Sequence, residues 1–176
     1  MALQVLLGYT AGQSTAEGVR VIHVEIPGRG RLVLAHLALD LNGTIVRDGV
    51  LLPGVAERIA ALRDQLAITL LTADTHGRAV ATAEALGIAL HRIAPSDETA
   101  QKAAFVRRTG AQGMAAIGNG ANDAAMLAAA VLGIAVLGDE GLAGAALLAA
   151  DVVAPGIAAA LDLLLTPDRL RATLRI

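Results

Sequence analysis

Asp40 directly follows the run LVLAHLAL, eight mostly apolar residues. A carboxylate delivered by such a segment needs a metal, a ligand or a counter-charge, because desolvating it alone is costly. The next residues, Asn42-Gly43-Thr44, form a turn whose exposed amides suit the cradling of an anion. A plain strand-ending turn is an equally good reading. Thr72 closes AITLLT (67–72) and offers a hydroxyl to a phosphoryl oxygen, or serves as a loop or capping threonine. Lys102 is the only lysine among fourteen basic residues. A compact ammonium meets a phosphoryl group and a carboxylate as a point charge, where a planar guanidinium would not fit. GNGANDAAML (118–127) places Asp123 at the first turn of a helix, where it caps that helix or offers hard oxygens to a divalent cation. Asn119 and Asn122 add uncharged donors and acceptors beside it. Asp74 reads as a cap for the helix beginning near His76. The four histidines, His23, His36, His76 and His91, show no i, i+4 pairing, so a zinc site is not expected. Neither GxGxxG nor GxxxxGK[ST] occurs.

Each of these clusters follows a segment that reads as a strand. Val21, Val24 and Ile26, the turn PGRG and RLVLAHLALD predict a β-hairpin whose second arm ends at Asp40. Pro53 then opens a helix with Val55, Ile59 and Leu62 on one face. Strands are expected at 67–72, 88–93, 114–118, 133–137 and 151–153. Helices are expected at 76–86, from an N-cap at Ser96 to about Thr109, and at 122–130, 140–149 and 156–165. Strands alternating with helices imply a Rossmann-like three-layer α/β/α fold with a mostly parallel sheet, preceded by the hairpin. Ligands of such sheets bind outside the carboxyl ends of the strands, where DLNGT, TADT and GNGAND all fall. Residues 1–18 read as a loose N-terminal extension, and 19–176 as one domain.

Composition narrows the partners. The chain has 176 residues, is 55 % hydrophobic and has a formal net charge of −2. Tyr9 and Phe105 are its only aromatics, so platforms for stacking bases are missing and nucleic acid is not expected as a partner. No cysteine is present, which excludes disulfides and thiol chemistry. The longest uncharged apolar run, Ala124 to Gly138, has 15 residues and two glycines, too short for a bilayer. Without a secretory signal pattern, a cytoplasmic location is expected.

In order and type, Asp40, Thr72, Lys102 and Asp123 resemble the haloacid-dehalogenase-like (HAD) superfamily, over roughly residues 33–165. LLTADTHGRAVATAEALGI (70–88) looks like the TGD…TA…A…LGI stretch of P-type ATPase catalytic domains. AIGNGANDAAMLAAAVLGIAV (116–136) looks like their GDGxND…L…A…GIA stretch. The IPGRG hairpin is similar to that of small soluble P-type-ATPase-like proteins. The resemblance implies a Mg²⁺ ion held by Asp40, the Asn42 carbonyl, Asn119 and Asp123. Asp40 would be the phosphate-accepting nucleophile. Phosphoryl oxygens would meet Leu41, Asn42, Thr72, Ala73, Lys102 and Asn122.

The chain departs from that pattern twice. Asn42 stands where family phosphatases carry a general acid/base Asp, whose help is typically worth ~10²–10⁴ in rate. Asn119 stands where GDG supplies a carboxylate. The 31 residues between Asp40 and Thr72 and the 29 between Thr72 and Lys102 leave room for a small flap (45–52) but no cap domain. A slow Mg²⁺-dependent phosphohydrolase or phosphotransferase is therefore expected, acting on a small phosphorylated substrate or a phosphoprotein, its open site shielded by the substrate or a homo-oligomer. A non-catalytic phosphate- or phosphoprotein-binding module is the competing reading. Asn42-Gly43 and Asn119-Gly120 are also deamidation-prone pairs, and conversion of either would create a carboxylate.

Overall fold

The computed structural model describes residues 21–74 and 77–176, so the extension expected over 1–18 and the helix start expected at His76 lie outside the described residues. These described residues form ten strands and seven α-helices. The strands are β1 Ile22–Ile26, β2 Gly30–Leu34, β3 His36–Asp40, β4 Val46–Arg47, β5 Val50–Leu51, β6 Ala67–Thr72, β7 Ala89–Arg92, β8 Met114–Gly118, β9 Leu132–Val136 and β10 Val152–Ala154. The helices are α1 Val55–Leu62, α2 Arg78–Leu86, α3 Glu98–Gly110, α4 Ala124–Ala129, α5 Gly144–Ala149, α6 Ile157–Leu165 and α7 Pro167–Leu174.

Six strands form one wholly parallel sheet in the order β10-β9-β8-β3-β6-β7. Successive side chains of its central strands enter opposite cores, as a period of two requires. Leu37 and Leu39 of β3 and Ala115 and Ile117 of β8 join the core built with α1, α2, α6 and α7. Ala38, Met114 and Ala116 join the other, with Phe105 and Val106 of α3, Met126 and Leu127 of α4 and Ala146 of α5. Because both faces are covered, β8 and β9 are buried at every position and read as continuous apolar runs. No described helix is long and apolar enough to cross a membrane.

The second arm of the expected hairpin is two strands rather than one. β1 and β2 pair antiparallel, but the chain changes sheets at Ala35. The Ala35 amide donates to the Gly113 carbonyl at 2.9 Å, and its carbonyl accepts from the Ala67 amide at 2.9 Å. Central-sheet partners thus capture the backbone before Asp40 is reached. Other boundaries move for local reasons. Asp97, not Ser96, caps α3, with its carboxylate accepting from the Ala100 amide at 3.3 Å, while the Ser96 carbonyl is taken by the Gln101 side chain. The helix expected from 140 starts at Gly144, because 138–141 close a turn through the Gly141 amide and Gly138 carbonyl. Residues 121–123 make a 3₁₀ turn before α4. Pro53 precedes the first turn of α1 rather than entering it. Helix α7 was not anticipated; its Leu170 and Leu174 are buried against the first core.

Candidate functional site

Three strand ends and one helix face build a single pocket. After β3, the amides of Thr44, Ile45 and Val46 all point to the Leu41 carbonyl, at 3.4, 3.0 and 3.1 Å. That tight turn returns the Thr44 hydroxyl to Asp40 Oδ2 at 3.0 Å. β6 ends at Thr72, whose Oγ1 accepts from the Asp74 amide at 3.1 Å. After β8, the chain folds back so that Asp123 Oδ2 accepts from the amides of Asn119 and Gly120, at 3.0 and 2.9 Å. Gly118 makes that return passable, since a Cβ there would stand 2.5 Å from the Asp123 carboxyl carbon.

Lys102 reaches in from α3. Its Nζ donates to Asp40 Oδ1 and to Asp123 Oδ1, each at 2.6 Å. All three residues are buried. Burial pushes the Asp40 carboxyl up, and the Asp123 charge pushes it further. Lys102 and Thr44 pull it down, and the balance lies at about 6. Burial alone would lower Lys102, yet the two carboxylates outweigh it and hold the ammonium above its ordinary range. The site therefore stores two acids against one base.

A cavity of about 440 Å³ opens over this triad. Asp40, Asn42, Thr72, Ala73, Lys102, Asn119 and Asn122 line it, so seven of the nine residues singled out in the sequence share one wall. Leu41 and Asp123 do not. Leu41 faces a smaller neighbouring cavity. Asp123 is fully buried behind Lys102, with both oxygens taken. A cation would reach it only in place of the ammonium or through an intervening group.

Four lining or supporting residues were not anticipated in these places. Thr44 touches Asp40, a role that only the turn geometry reveals. Glu98 accepts from the Asn122 amide at 2.8 Å. Glu140 lies in a loop that the sequence pattern assigns to a helix. Asp74 does serve the first turn of α2, its Oδ2 accepting from the Ala79 amide at 2.9 Å, but it also lines the cavity. His91, by contrast, packs against Phe105 with ring centroids 4.8 Å apart, away from this pocket.

The donor set suits a hard cation. Thr44 has one hydroxyl proton, yet both Asp40 Oδ2 and Asn119 Oδ1 lie within hydrogen-bond distance of it, at 3.0 and 3.1 Å. Asn119 Nδ2 is engaged with the Gly141 carbonyl at 3.2 Å, which fixes the amide so that its oxygen faces Thr44. The Thr44 proton serves only one of the two acceptors at a time, and a cation on the cavity side would satisfy both. Among the described residues, no three His, Asp or Glu side chains converge as a metal-binding cluster. Amide, hydroxyl and water oxygens would complete the coordination shell of a cation held beside Asp40.

No protein-family model matches the chain. Over 39 residues it is 49 % identical to the uncharacterized protein MJ0072 of Methanocaldococcus jannaschii, a match covering 22 % of this chain and 89 % of that protein. Among solved structures it is similar to a Streptomyces avermitilis protein assigned to the HAD family hydrolases. The TM-score is 0.60 at 21 % identity, covering 74 % of this chain and 82 % of that one. It is also similar to the 3-deoxy-D-manno-octulosonate 8-phosphate phosphatase of Moraxella catarrhalis, solved with a magnesium ion, a phosphate ion and a KDO molecule. There the TM-score is 0.61 at 18 % identity, covering 81 % of this chain and 94 % of that one. A zinc-transporting PIB-type ATPase in its E2·Pi state gives a TM-score of 0.54 at 27 % identity, over 70 % of this chain and 20 % of the ATPase.

Proposed function

From the premise that this chain belongs to the family of the M. jannaschii protein and has the haloacid-dehalogenase-like fold, we propose that it is a divalent-cation-dependent phosphohydrolase or phosphotransferase acting through a phosphorylated Asp40. The observation that carries this reading is the buried Lys102 ammonium on the floor of an open cavity, shared at 2.6 Å by Asp40 beside it and by Asp123 behind it.

In this reading an Asp40 oxygen attacks phosphorus as the bond from phosphorus to the leaving oxygen breaks. Thr72 and Lys102 hold the phosphoryl oxygens, and Lys102 keeps Asp40 aimed. The leaving group departs with its electron pair and takes a proton from solvent, because the Asn42 amide has none to give. Water then attacks phosphorus and gives its proton to solvent, again without a general base, releasing inorganic phosphate and the Asp40 carboxylate. Substrates with good leaving groups, acyl or aryl phosphates, are therefore favoured. Asp40, the Asn42 carbonyl and Asn119 would hold the cation, Mg²⁺ for preference, with Asp123 behind them. When bound there it would stabilise charge on the transferring group. The replacement of carboxylates by Asn42 and Asn119 supports a second reading, a non-catalytic phosphate- or phosphoprotein-binding module.

A panel of acyl and aryl phosphates, assayed with Mg²⁺ and with EDTA, tests the first reading. Turnover should require the cation and disappear in Asp40→Asn. Equal activity in that variant would end the mechanism.

A further inference from the structure

Beside the main cavity lies a smaller one of about 110 Å³, and the two share Asn42 and Asp74 as walls. The remaining walls are Leu41, Val46 and Gly49 from the turn and flap, with Arg78 and Thr82 of α2 opposite. Arg78 and Thr82 are four residues apart and so share a helix face. Among the described residues Arg78 forms no ion pair, as Arg63, Arg92, Arg107, Arg108, Arg169 and Arg175 also do not, but of these it alone lines either of the two cavities. The flap places it. Gly49 has φ +77°, and a Cβ there would stand 2.5 Å from Arg78 Nη1, so the guanidinium rests on a turn that leaves room for it. Asp74, the acid on this shared wall, directs Oδ2 to the Ala79 amide.

The charge around the main cavity gives this arrangement a purpose. Asp74, Glu98 and Glu140 line it, and the one cationic side chain among its described lining residues, Lys102, is committed to two carboxylates. A second anionic group on a substrate is repelled from that lining and, among the described residues of the two cavities, meets an uncommitted cation only at Arg78. Resting on the phosphotransfer reading above, we propose that Arg78 and Thr82 seat an oxyanion, a carboxylate or a second phosphoryl group, carried by the substrate's leaving group. The preferred substrates are then compounds with two anionic groups joined by a short spacer, one reacting at Asp40 and the other held at Arg78. An arginine with an adjacent hydroxyl fits such a group, since its fork donates two parallel hydrogen bonds to a carboxylate or phosphate.

Non-hydrolysable ligands separate this proposal from the catalytic reading. Binding of phenylphosphonate, its 3- and 4-carboxyphenyl analogues and 1,4-phenylenediphosphonate is measured by titration calorimetry with Mg²⁺ present. The second anionic group should tighten binding roughly tenfold to hundredfold, the range of a charge-assisted hydrogen bond. The carboxylate and diphosphonate arms show which oxyanion is preferred. In Arg78→Ala that advantage should fall to about one, and Arg78→Lys should restore part of it. An equal advantage in Arg78→Ala, or none in the wild type, would overturn the subsite. Absence of turnover with the matching phosphate esters, with the binding advantage intact, would count against the catalytic reading alone.

Discussion

Lys102 Nζ stands 2.6 Å from Asp40 Oδ1, with the two residues 1 % and 7 % exposed. Such a pair survives burial only when the remaining donors and acceptors are met. Here Asp123 takes a second proton of the ammonium, and Thr44 serves the other Asp40 oxygen. The price is desolvation of Asp40, added to by the Asp123 charge, visible as an Asp40 carboxyl raised to about 6.

Asp40→Asn should therefore stabilise the metal-free protein at alkaline pH. A carboxyl raised from 3.8 to about 6 on folding contributes stability fully below the lower value and loses it as pH rises through the upper. Above that, the fold carries the cost of the ionised group, on the order of 3 kcal/mol. In EDTA, thermal melts should show the variant above wild type at pH 8, with the gap closing towards pH 4. A lower melting temperature at pH 8 would show that Asp40 is not held under charge stress.

Lys102→Met should do the opposite. It leaves Asp40 and Asp123 facing each other without their shared cation, a loss of about 3–5 kcal/mol for a broken buried pair. Urea unfolding at pH 8 measures it. Part of the loss should return at pH 5, where Asp40 accepts a proton. A change below about 1 kcal/mol would place the ammonium in solvent instead.

Much of this site was legible in the sequence because its members close strands. A parallel sheet sends every strand end to one edge, so DLNGT, TADT and GNGAND had to meet once the alternation of strands and helices was recognised. Lys102 stood out through composition. What was hidden depends on tertiary return paths. Thr44 reaches Asp40 only through the turn on the Leu41 carbonyl, and Glu140 lines the cavity only because 138–141 turn instead of starting a helix. The sheet change at Ala35 was hidden too, since LVLAHLAL is mostly apolar and periodicity gives no break there.

Asn42→Asp should speed breakdown of the phosphorylated protein. A carboxyl group there could protonate the leaving group in the first step and, then ionised, activate water in the second, help typically worth ~10²–10⁴ in rate. Single-turnover decay of the acid-stable adduct measures the step directly. An unchanged decay rate would mean that side chain 42 does not reach the reacting water.

Both Asn-Gly pairs should resist deamidation while the protein is folded. Succinimide formation requires the glycine nitrogen to attack the asparagine side chain. The Gly43 amide donates to the Val46 carbonyl at 2.9 Å and the Gly120 amide to Asp123 Oδ2 at 2.9 Å. Peptide mapping of aged native and urea-unfolded samples should find conversion only in the unfolded one. Conversion at either site in native protein would indicate that these turns open.

The central claim is that Asp40 becomes phosphorylated, and it is tested most directly by trapping. Protein mixed with acetyl phosphate and Mg²⁺, quenched in acid and mapped by mass spectrometry, should carry one phosphoryl group on the peptide containing Asp40. The adduct should be absent from Asp40→Asn. Hydrolysis of acetyl phosphate with no adduct at Asp40, or a phosphoryl group on another residue, would contradict the account.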